Sequence, residues 1–165
     1  MFITGGPTTT QAVIQKAEAH IGDAVARGAR IAAGGARRTG GEWSCGFFFE
    51  PTVLDQVPRG ARVMVEETFG PVVAVHRFGA DEDPAAIAND SPAGLAAYVF
   101  GGDLDRAWGV AERIEAGGVG VNINDVSELQ APFGGWKMSG FGRELGPEGL
   151  QGFMQQRHIR LRRRF

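Results

Sequence analysis

Hydrophobic positions recur at helical spacing in the first segment of the chain, between residues 10 and 27. The polar residues of this segment lie largely elsewhere on the helix, and Gly28 ends it. The predicted apolar face comprises Val13, Ala17, Ile21 and Ala24. The pattern therefore predicts an amphipathic helix that covers a core with one side.

Short apolar runs separated by glycine and proline follow this helix and predict extended structure. "ARIAAGG" predicts a buried strand closed by the pair Gly34-Gly35, and "RRTGGEWS" predicts a polar surface turn. "GFFFEPTVL" predicts an extended segment in which Pro51 restricts pairing to an edge or an irregular stretch. "VMVEETFGPVVAVHRF" predicts two strands joined by a turn at Gly70-Pro71.

The second half of the chain shows the same alternation of helices and strands. Asp81 or Asp83 precedes Pro84 and predicts a capped short helix, and Asp103 caps a longer one. The inward stripe of the longer helix comprises Leu104, Ala107, Ala111 and Ile114, before a stop at Gly117-Gly118. "GLAAYVF" and "VGVNI" predict strands, and "GPEGLQGFM" predicts a short helix.

Helices that alternate with short apolar strands favour the α/β class. We expect a three-layer architecture with a largely parallel sheet covered by helices. No repeat, low-complexity segment or linker divides the chain, so residues 1–165 are interpreted as a single unit.

Composition excludes several classes of function. The 165 residues have a net charge of −2, which gives no global attraction to nucleic acid or membrane. One cysteine cannot form an internal disulfide, and no leader or long apolar run is evident, so we expect a cytoplasmic protein. The three histidines are scattered without ligand partners, which predicts no metal site and surface or strand positions for His20, His76 and His158.

Glycine is unusually frequent, with 26 residues, and it is concentrated in "PFGGWKMSGFGRELG" from Pro132 to Gly146. Such a cluster indicates a backbone that turns sharply or is approached closely. A phosphate-cradling loop is one alternative, but the glycine spacing fits neither the P-loop nor the Rossmann fingerprint.

Two stretches, "VEETFGPVV" and "APFGGWKMSGFGRELGPEGL", resemble the carboxy-terminal part of the NAD(P)-dependent aldehyde dehydrogenase superfamily. "GLAAYVF", "DLDRAW" and "VGVN" lie between them at family-like spacing. The resemblance extends from about Gly6 to the end and implies an incomplete catalytic domain of that family. It implies oxidation of an aldehyde to a carboxylic acid with NAD or NADP as cofactor.

The resemblance also implies roles for individual residues. Glu67 matches the carboxylate that accepts hydrogen bonds from the nicotinamide-side ribose, and Phe69 matches the aromatic residue beside the nicotinamide. Phe133 matches a wall of the substrate tunnel, and Glu144 matches a buried acid that relays protons to the deacylating water. Asn122 lies where family strands reach the substrate tunnel, with a packing role as an equal alternative.

Lys137 and Arg143 belong to the same glycine-rich loop. We expect them to hold it through backbone and carboxylate contacts rather than to take part in chemistry.

The resemblance places the nucleophilic cysteine, the general base and the dinucleotide-binding domain in a region that these residues do not match. Cys45 has no nearby histidine that would lower its pKa, so we interpret it as structural. We expect a truncated or split chain that is inactive alone, with a semialdehyde as the favoured substrate of the complete enzyme. NAD and NADP are not distinguished, because the residues near the adenosine ribose belong to the unmatched domain.

The arginine-rich end "RHIRLRRRF" admits two interpretations. Five arginines in nine residues create a local positive field that suits nucleic acid or acidic lipid. Ile159 and Leu161 alternate with arginines, and the family ends in a strand that pairs with a neighbouring subunit. We therefore expect an oligomerisation strand over residues 155–165 and no nucleic-acid or membrane partner.

Two hypotheses about the whole chain follow. In the first, it contributes part of an aldehyde dehydrogenase site to a complete enzyme. In the second, it is a noncatalytic folding and association module that forms a homo-oligomer or pairs with a separate amino-terminal half.

Overall fold

The computed structural model describes residues 7–163. Contacts within the chain divide it into two compact units, Met1–Ala80 and Asp81–Phe165, which are called here the first and the second unit. Each mixes short helices with short strands, so the predicted α/β class is confirmed. A single domain over residues 1–165 stays a prediction.

The first unit is built from one long helix and short extended segments. Its elements are α1 (Gln11–Ala26), β1 (Arg30–Ala33), β2 (Arg37–Arg38), β3 (Phe48–Phe49), β4 (Thr52–Asp55), α2 (Arg62–Val65) and β5 (Val72–Ala74). The Thr10 side chain accepts a hydrogen bond from the N–H of Val13 at 3.4 Å and caps α1. The amphipathic helix predicted over residues 10–27 is therefore confirmed.

The core of the first unit lies between α1 and strand β4. The buried apolar residues of this cluster are Ile14, Ala17, Ile21, Ala24, Ala29, Phe49, Leu54, Val57 and Ala61. The buried face of α1 includes Ile14 and His20, whereas Val13 is only half-buried. The predicted face is thus correct at Ala17, Ile21 and Ala24. At its start, Ile14 is the buried residue instead of the predicted Val13.

Strand β4 is the central strand of a three-stranded sheet in the first unit. It pairs antiparallel with β1 and parallel with β5, with Leu54 opposite Ile31 and Ala74. The strand predicted here forms as β1, but all four of its residues are exposed, so its predicted burial is wrong. Because β1 has a neighbour on one side only, most of its surface stays open to solvent.

The polar segment after β1 is more ordered than the predicted surface turn. Arg37 and Arg38 form β2, which pairs antiparallel with β3 at Phe49 and Phe48. The remainder of the segment is exposed, and residues Gly41–Trp43 form one turn of 3₁₀ helix.

The apolar run "RVMV" forms helix α2 rather than the first of two predicted strands. Two contacts of Arg62 explain this difference. Its backbone N–H donates to the Asp23 carboxylate on α1 at 2.8 Å, and its guanidinium pairs with Glu66 one helical turn later. The tertiary contact to Asp23 and the local pair with Glu66 together override the preference of β-branched residues for strands.

The second unit contains the remaining described elements. They are α3 (Pro84–Asn89), β6 (Ala93–Gly94), β7 (Ala96–Val99), α4 (Leu104–Ala111), β8 (Gly118–Val121), β9 (Trp136–Lys137) and α5 (Gly146–Gln151). Asp83 caps α3 and Asp103 caps α4 through side-chain acceptors, as predicted. Helix α4 ends at Ala111, and Leu104 is 60% exposed, so the predicted inward stripe is wrong at Leu104.

The described ladders of the second unit are mixed in direction. Strands β7 and β8 run parallel, from Ala96 opposite Gly118 to Val99 opposite Val121. Strands β6 and β9 run antiparallel, with Gly94 opposite Trp136. The β7–α4–β8 crossover is the parallel unit that the alternation of elements predicted.

Between residues 7 and 163, no helix is both long and apolar enough to cross a bilayer. The tail from residue 155 to residue 163 is exposed and joins no ladder of the described chain, and residues 164 and 165 lie outside the described range. Pairing of residues 155–165 with a neighbouring subunit stays a prediction.

Candidate functional site

Glu67 and Phe69 lie on a short segment of the first unit between α2 and β5. Glu66 is extended, with φ −112° and ψ 134°, and Gly70-Pro71 leads the chain into β5. The Phe69 side chain is 80% exposed. The Glu67 side chain is exposed as well, and it makes no hydrogen bond or ion pair with any described residue.

Glu66 anchors this segment to the end of α2. Its carboxylate accepts two hydrogen bonds from the Arg62 guanidinium, both at 2.9 Å, and one from the His20 ring at 3.2 Å. The Arg62 bonds, with a smaller effect of His20, lower the pKa of Glu66 to about 2. The carboxylate is therefore ionised at neutral pH and acts only as an acceptor.

His20 is a functional candidate that sequence reasoning missed. It is fully buried on α1, which contradicts the predicted surface or strand position. The missed signal is helical spacing, because His20 lies three residues after Ala17 and four before Ala24 on the buried face. His76 is half-buried beyond β5, and its Nδ1 lies 2.8 Å from the carbonyl oxygen of Val57.

The glycine-rich loop of the second unit brings Phe133 and Glu144 together. The two residues form an antiparallel bridge, with Phe133 N–H donating to Glu144 O at 2.8 Å and Glu144 N–H donating to Phe133 O at 2.7 Å. This bridge closes the loop into a narrow hairpin. A cavity of about 300 Å³ opens beside it and is lined in part by Leu95, Phe133, Gly135, Phe141, Arg143 and Glu144.

Two glycines of this loop are required by close backbone approach. A Cβ on Gly134 would lie 2.7 Å from Cδ of Arg143, and a Cβ on Gly135 would lie 2.6 Å from the carbonyl carbon of Ser139. Both distances are shorter than real Cβ contacts. The glycines therefore allow the backbone to fold on itself, as the cluster predicted.

The two cations of the loop make the predicted contacts to backbone and carboxylate oxygens. Lys137 Nζ donates to the carbonyl oxygens of Asn89 and Ser91 at 2.9 and 3.1 Å and pairs with Glu115 at 2.7 Å. Arg143 Nη1 donates to Gly135 O at 3.1 Å and to Gly142 O at 2.6 Å.

Glu144 and Asn122 differ in part from what the resemblance implies. The Glu144 side chain is exposed in this chain, whereas the resemblance implies a buried acid. The Asn122 side chain both accepts from Gly101 N–H and donates to Gly101 O, each at 2.9 Å. This pair of bonds across the ends of β7 and β8 favours the packing role for Asn122.

The structure thus assembles the predicted residues in two pairs. Glu67 and Phe69 share one segment of the first unit, and Phe133 and Glu144 share one bridge of the second unit. Cys45 is exposed, with its Sγ 3.9 Å from the Ser44 hydroxyl. No cluster of three potential metal ligands occurs within residues 7–163.

Comparison with known proteins extends the resemblance found in the sequence. The sequence model described as "Aldehyde dehydrogenase family" matches residues 3–159. The mitochondrial succinate-semialdehyde dehydrogenase of Rattus norvegicus is 42% identical over 156 residues, which are 94% of this chain and 29% of that protein. A probable NADP(+) succinate-semialdehyde dehydrogenase of Sinorhizobium fredii is 46% identical over 93% of this chain and 30% of its own length.

A solved structure agrees with these sequence relatives. The crystal structure of betaine aldehyde dehydrogenase from Staphylococcus aureus in complex with NAD+ superposes with a TM-score of 0.86 at 42% identity. The match covers 93% of this chain and 31% of that one. The chain therefore spans about 30% of the length of the curated relatives that it matches.

Proposed function

Because the chain belongs to the aldehyde dehydrogenase family, we propose that it supplies part of the cofactor and substrate site of an NAD(P)-dependent aldehyde oxidation. The observation that carries the proposal is the outward presentation of Glu67 and Phe69 on one anchored segment. NAD or NADP, when bound, accepts the hydride of the aldehyde. The roles of this chain are to orient the cofactor and to line the substrate path.

The Glu67–Phe69 segment suits the nicotinamide end of such a cofactor. A carboxylate without a protein partner among the described residues has both oxygens available for two ribose hydroxyl donors. An aromatic ring that is 80% exposed offers a face against which a flat heterocycle packs. The two side chains are two residues apart, so one loop orients both parts of the ligand.

The Phe133–Glu144 bridge suits the substrate side. Phe133 lines a cavity of about 300 Å³ together with Glu144, whose carboxyl group is able to take up and pass on a proton. Because Glu144 is exposed in this chain, a buried relay requires cover from other sequence. Lys137 and Arg143 keep the loop closed while that surface is covered.

We propose that the nucleophile comes from sequence outside these 165 residues, in the same polypeptide or in a companion. Cys45 is exposed, and its described hydrogen-bond partner is the Ser44 hydroxyl rather than a histidine base, which argues against a nucleophilic role for it. The 165-residue chain by itself is then inactive. Succinate semialdehyde is the first substrate to test, because the two relatives named above are succinate-semialdehyde dehydrogenases.

A noncatalytic association module is the second candidate function. The second unit exposes several large apolar side chains, including Leu129, Met138, Phe141, Phe153 and Met154. Exposed apolar groups of this size favour contact with another protein surface. Its two forms are a homo-oligomer through residues 155–165 and a complex with an amino-terminal half. Light scattering on the purified chain distinguishes a homo-oligomer from a monomer that would need such a partner. Cytoplasmic location stays a prediction.

Complementation tests the enzymatic proposal directly. The chain is purified with the part of the Sinorhizobium fredii relative that it does not match, about 70% of that protein. We expect nicotinamide reduction with succinate semialdehyde in the mixture and none with either part alone. Turnover by the 165-residue chain alone would contradict its proposed inactivity, and an inactive but associated mixture would contradict the catalytic contribution.

Glu67→Gln in the complemented enzyme tests the cofactor role. Loss of a charged acceptor for two ribose hydroxyls raises the cofactor KM by about 10- to 100-fold. Glu18→Gln removes an exposed carboxylate from α1 of the same unit and leaves that KM unchanged. Equal KM values for Glu67→Gln and Glu18→Gln would remove Glu67 from the cofactor site.

Glu144→Gln tests the proton relay in the same enzyme. A relay acts after the nucleophile has been acylated, so this variant lowers steady-state kcat and leaves the initial burst of nicotinamide reduction intact. Glu112→Gln, another exposed carboxylate of the second unit, is the control. A kcat for Glu144→Gln equal to that of the control would leave the relay without support.

A further inference from the structure

A buried histidine connects helix α1 to the segment that carries Glu67 and Phe69. His20 is fully buried, and buried polar atoms require partners. Its Nδ1 lies 2.9 Å from Oγ1 of Thr68, and its Nε2 lies 3.2 Å from Oε2 of Glu66. Both ring nitrogens therefore contact the same short segment.

The direction of these hydrogen bonds follows from the partners. The ionised Glu66 carboxylate only accepts, so the Nε2 of His20 must carry a proton and donate it. The Thr68 hydroxyl donates to Nδ1 when the ring is neutral and accepts from it when the ring is charged. The arrangement is satisfied in either state of the ring, so the contact to Thr68 persists in both.

Side chains that contact α1 alternate with exposed side chains along this segment. Glu66 and Thr68 contact His20, and a Cβ on Gly70 would lie 3.3 Å from Cγ1 of Val13 on the same helix. The chain turns at Phe69, whose φ of 51° lies in the left-handed region, so this turn and the contacts to α1 together place the side chains of Glu67 and Phe69. Both of those side chains are exposed.

A second contact fixes the start of the segment on the same helix. Asp23, three residues after His20, accepts the Arg62 N–H at 2.8 Å, and Arg62 pairs with Glu66 through two hydrogen bonds. Residues three apart lie on one face of a helix. The segment is thus held at Arg62, Glu66 and Thr68 by one face of α1.

We propose that His20 is a positioning residue for the cofactor: it fastens Glu66 and Thr68 to α1 and thereby orients the exposed side chains of Glu67 and Phe69. The inference rests on the proposed function for the identity of the ligand. The fastening itself is a property of this chain.

Backbone dynamics of the 165-residue chain test the fastening. Order parameters from ¹⁵N relaxation at residues 67–70 are expected near about 0.85 in the wild type and below about 0.6 in His20→Leu. Thr68→Val removes the hydroxyl that contacts His20 and leaves the sequence of α1 unchanged. Its order parameters therefore test the fastening even if His20→Leu does not fold. Ile14→Val perturbs the same buried face of α1 without removing a hydrogen bond to the segment and leaves the order parameters unchanged.

A mobile segment in the wild type, or unchanged order in Thr68→Val and in any folded His20→Leu, would overturn the fastening. His20→Gln, whose amide nitrogen reaches the position of Nε2, restores the bond to Glu66 and part of the order.

The effect of His20 on cofactor binding is measured in the complemented enzyme. His20→Leu and Thr68→Val are expected to raise the cofactor KM about tenfold, with a smaller change in the aldehyde KM. A loosened segment with an unchanged cofactor KM would overturn the positioning role. If the wild-type mixture has no activity, the proposed function fails, whereas the order parameters still decide the fastening.

Discussion

Gly135 is the position at which the glycine-rich loop is most sensitive to one methyl group. Gly135 is buried, and a Cβ there would approach the Ser139 carbonyl oxygen most closely, with the Ser139 carbonyl carbon and Cβ at 2.6 Å. Real Cβ contacts essentially never fall below 3.0 Å, so Ser139 must move by roughly half an ångström. The Ser139 hydroxyl accepts the N–H of Gly94 at 2.9 Å, so this movement also strains the contact to β6.

We predict that Gly135→Ala lowers the free energy of unfolding by about 1–3 kcal/mol, the usual cost of inserting a methyl group into a packed site. Urea unfolding followed by tryptophan fluorescence and circular dichroism measures the change, with an unchanged m value showing that the unfolded state is unaffected. The nearby Trp136 reports on the loop.

Gly22→Ala is the matched control for this substitution. Gly22 lies in α1, and no atom lies within 4 Å of the position that the new methyl group would take, so alanine there adds about 0.5–1 kcal/mol of stability by helix propensity. The two variants thus carry the same chemical change with opposite expected signs. A Gly135→Ala protein as stable as the wild type would refute the close approach of the loop backbone to Ser139.

Two further predictions concern charged groups. Arg77 and Arg30 donate to Asp55 and hold the pKa of its carboxyl well below the ordinary value of 3.8. Because this pKa is lower in the folded than in the unfolded chain, the ionised carboxylate stabilises the fold above about pH 3.8. This stabilisation is lost as the pH falls below that value. Acid unfolding followed by circular dichroism should therefore be less steep in Asp55→Asn, and equal slopes would contradict this source of acid sensitivity. Lys137→Met removes three contacts of the loop and should cost about 1–2 kcal/mol of unfolding free energy in urea, whereas the exposed Lys16→Met should cost nothing measurable.

Local signals in the sequence predicted much of the secondary structure. Asp103 caps α4 as predicted, and Asp83, one of the two predicted caps, begins α3, because an N-cap needs only a short polar side chain and the next few amides. The motif around Glu67 and the glycine-rich loop also identified the family, which the family match and the relatives confirm.

Errors arose where distant residues decide the outcome. "RVMV" has the composition of a strand, but the carboxylate of Asp23, 39 positions earlier, accepts the Arg62 N–H and supports a helical turn there. β1 has the composition of a buried strand, but its place at the edge of the sheet leaves it exposed. The pattern of hydrophobic and polar residues around Arg62 and in β1 indicates neither the contact between Arg62 and Asp23 nor the order of strands in the sheet.

The sequence alone determined the family, the starts of α1, α3 and α4, and the residue types available to a cofactor and an aldehyde. Tertiary structure decided that His20 is buried against Glu66 and Thr68, that Phe133 and Glu144 are bridged, and that Asn122 holds Gly101. The reason is physical: caps and periodicity depend on neighbours within one or two turns. Burial and hydrogen-bond pairing depend on segments that are up to 48 positions apart and meet only when the chain folds.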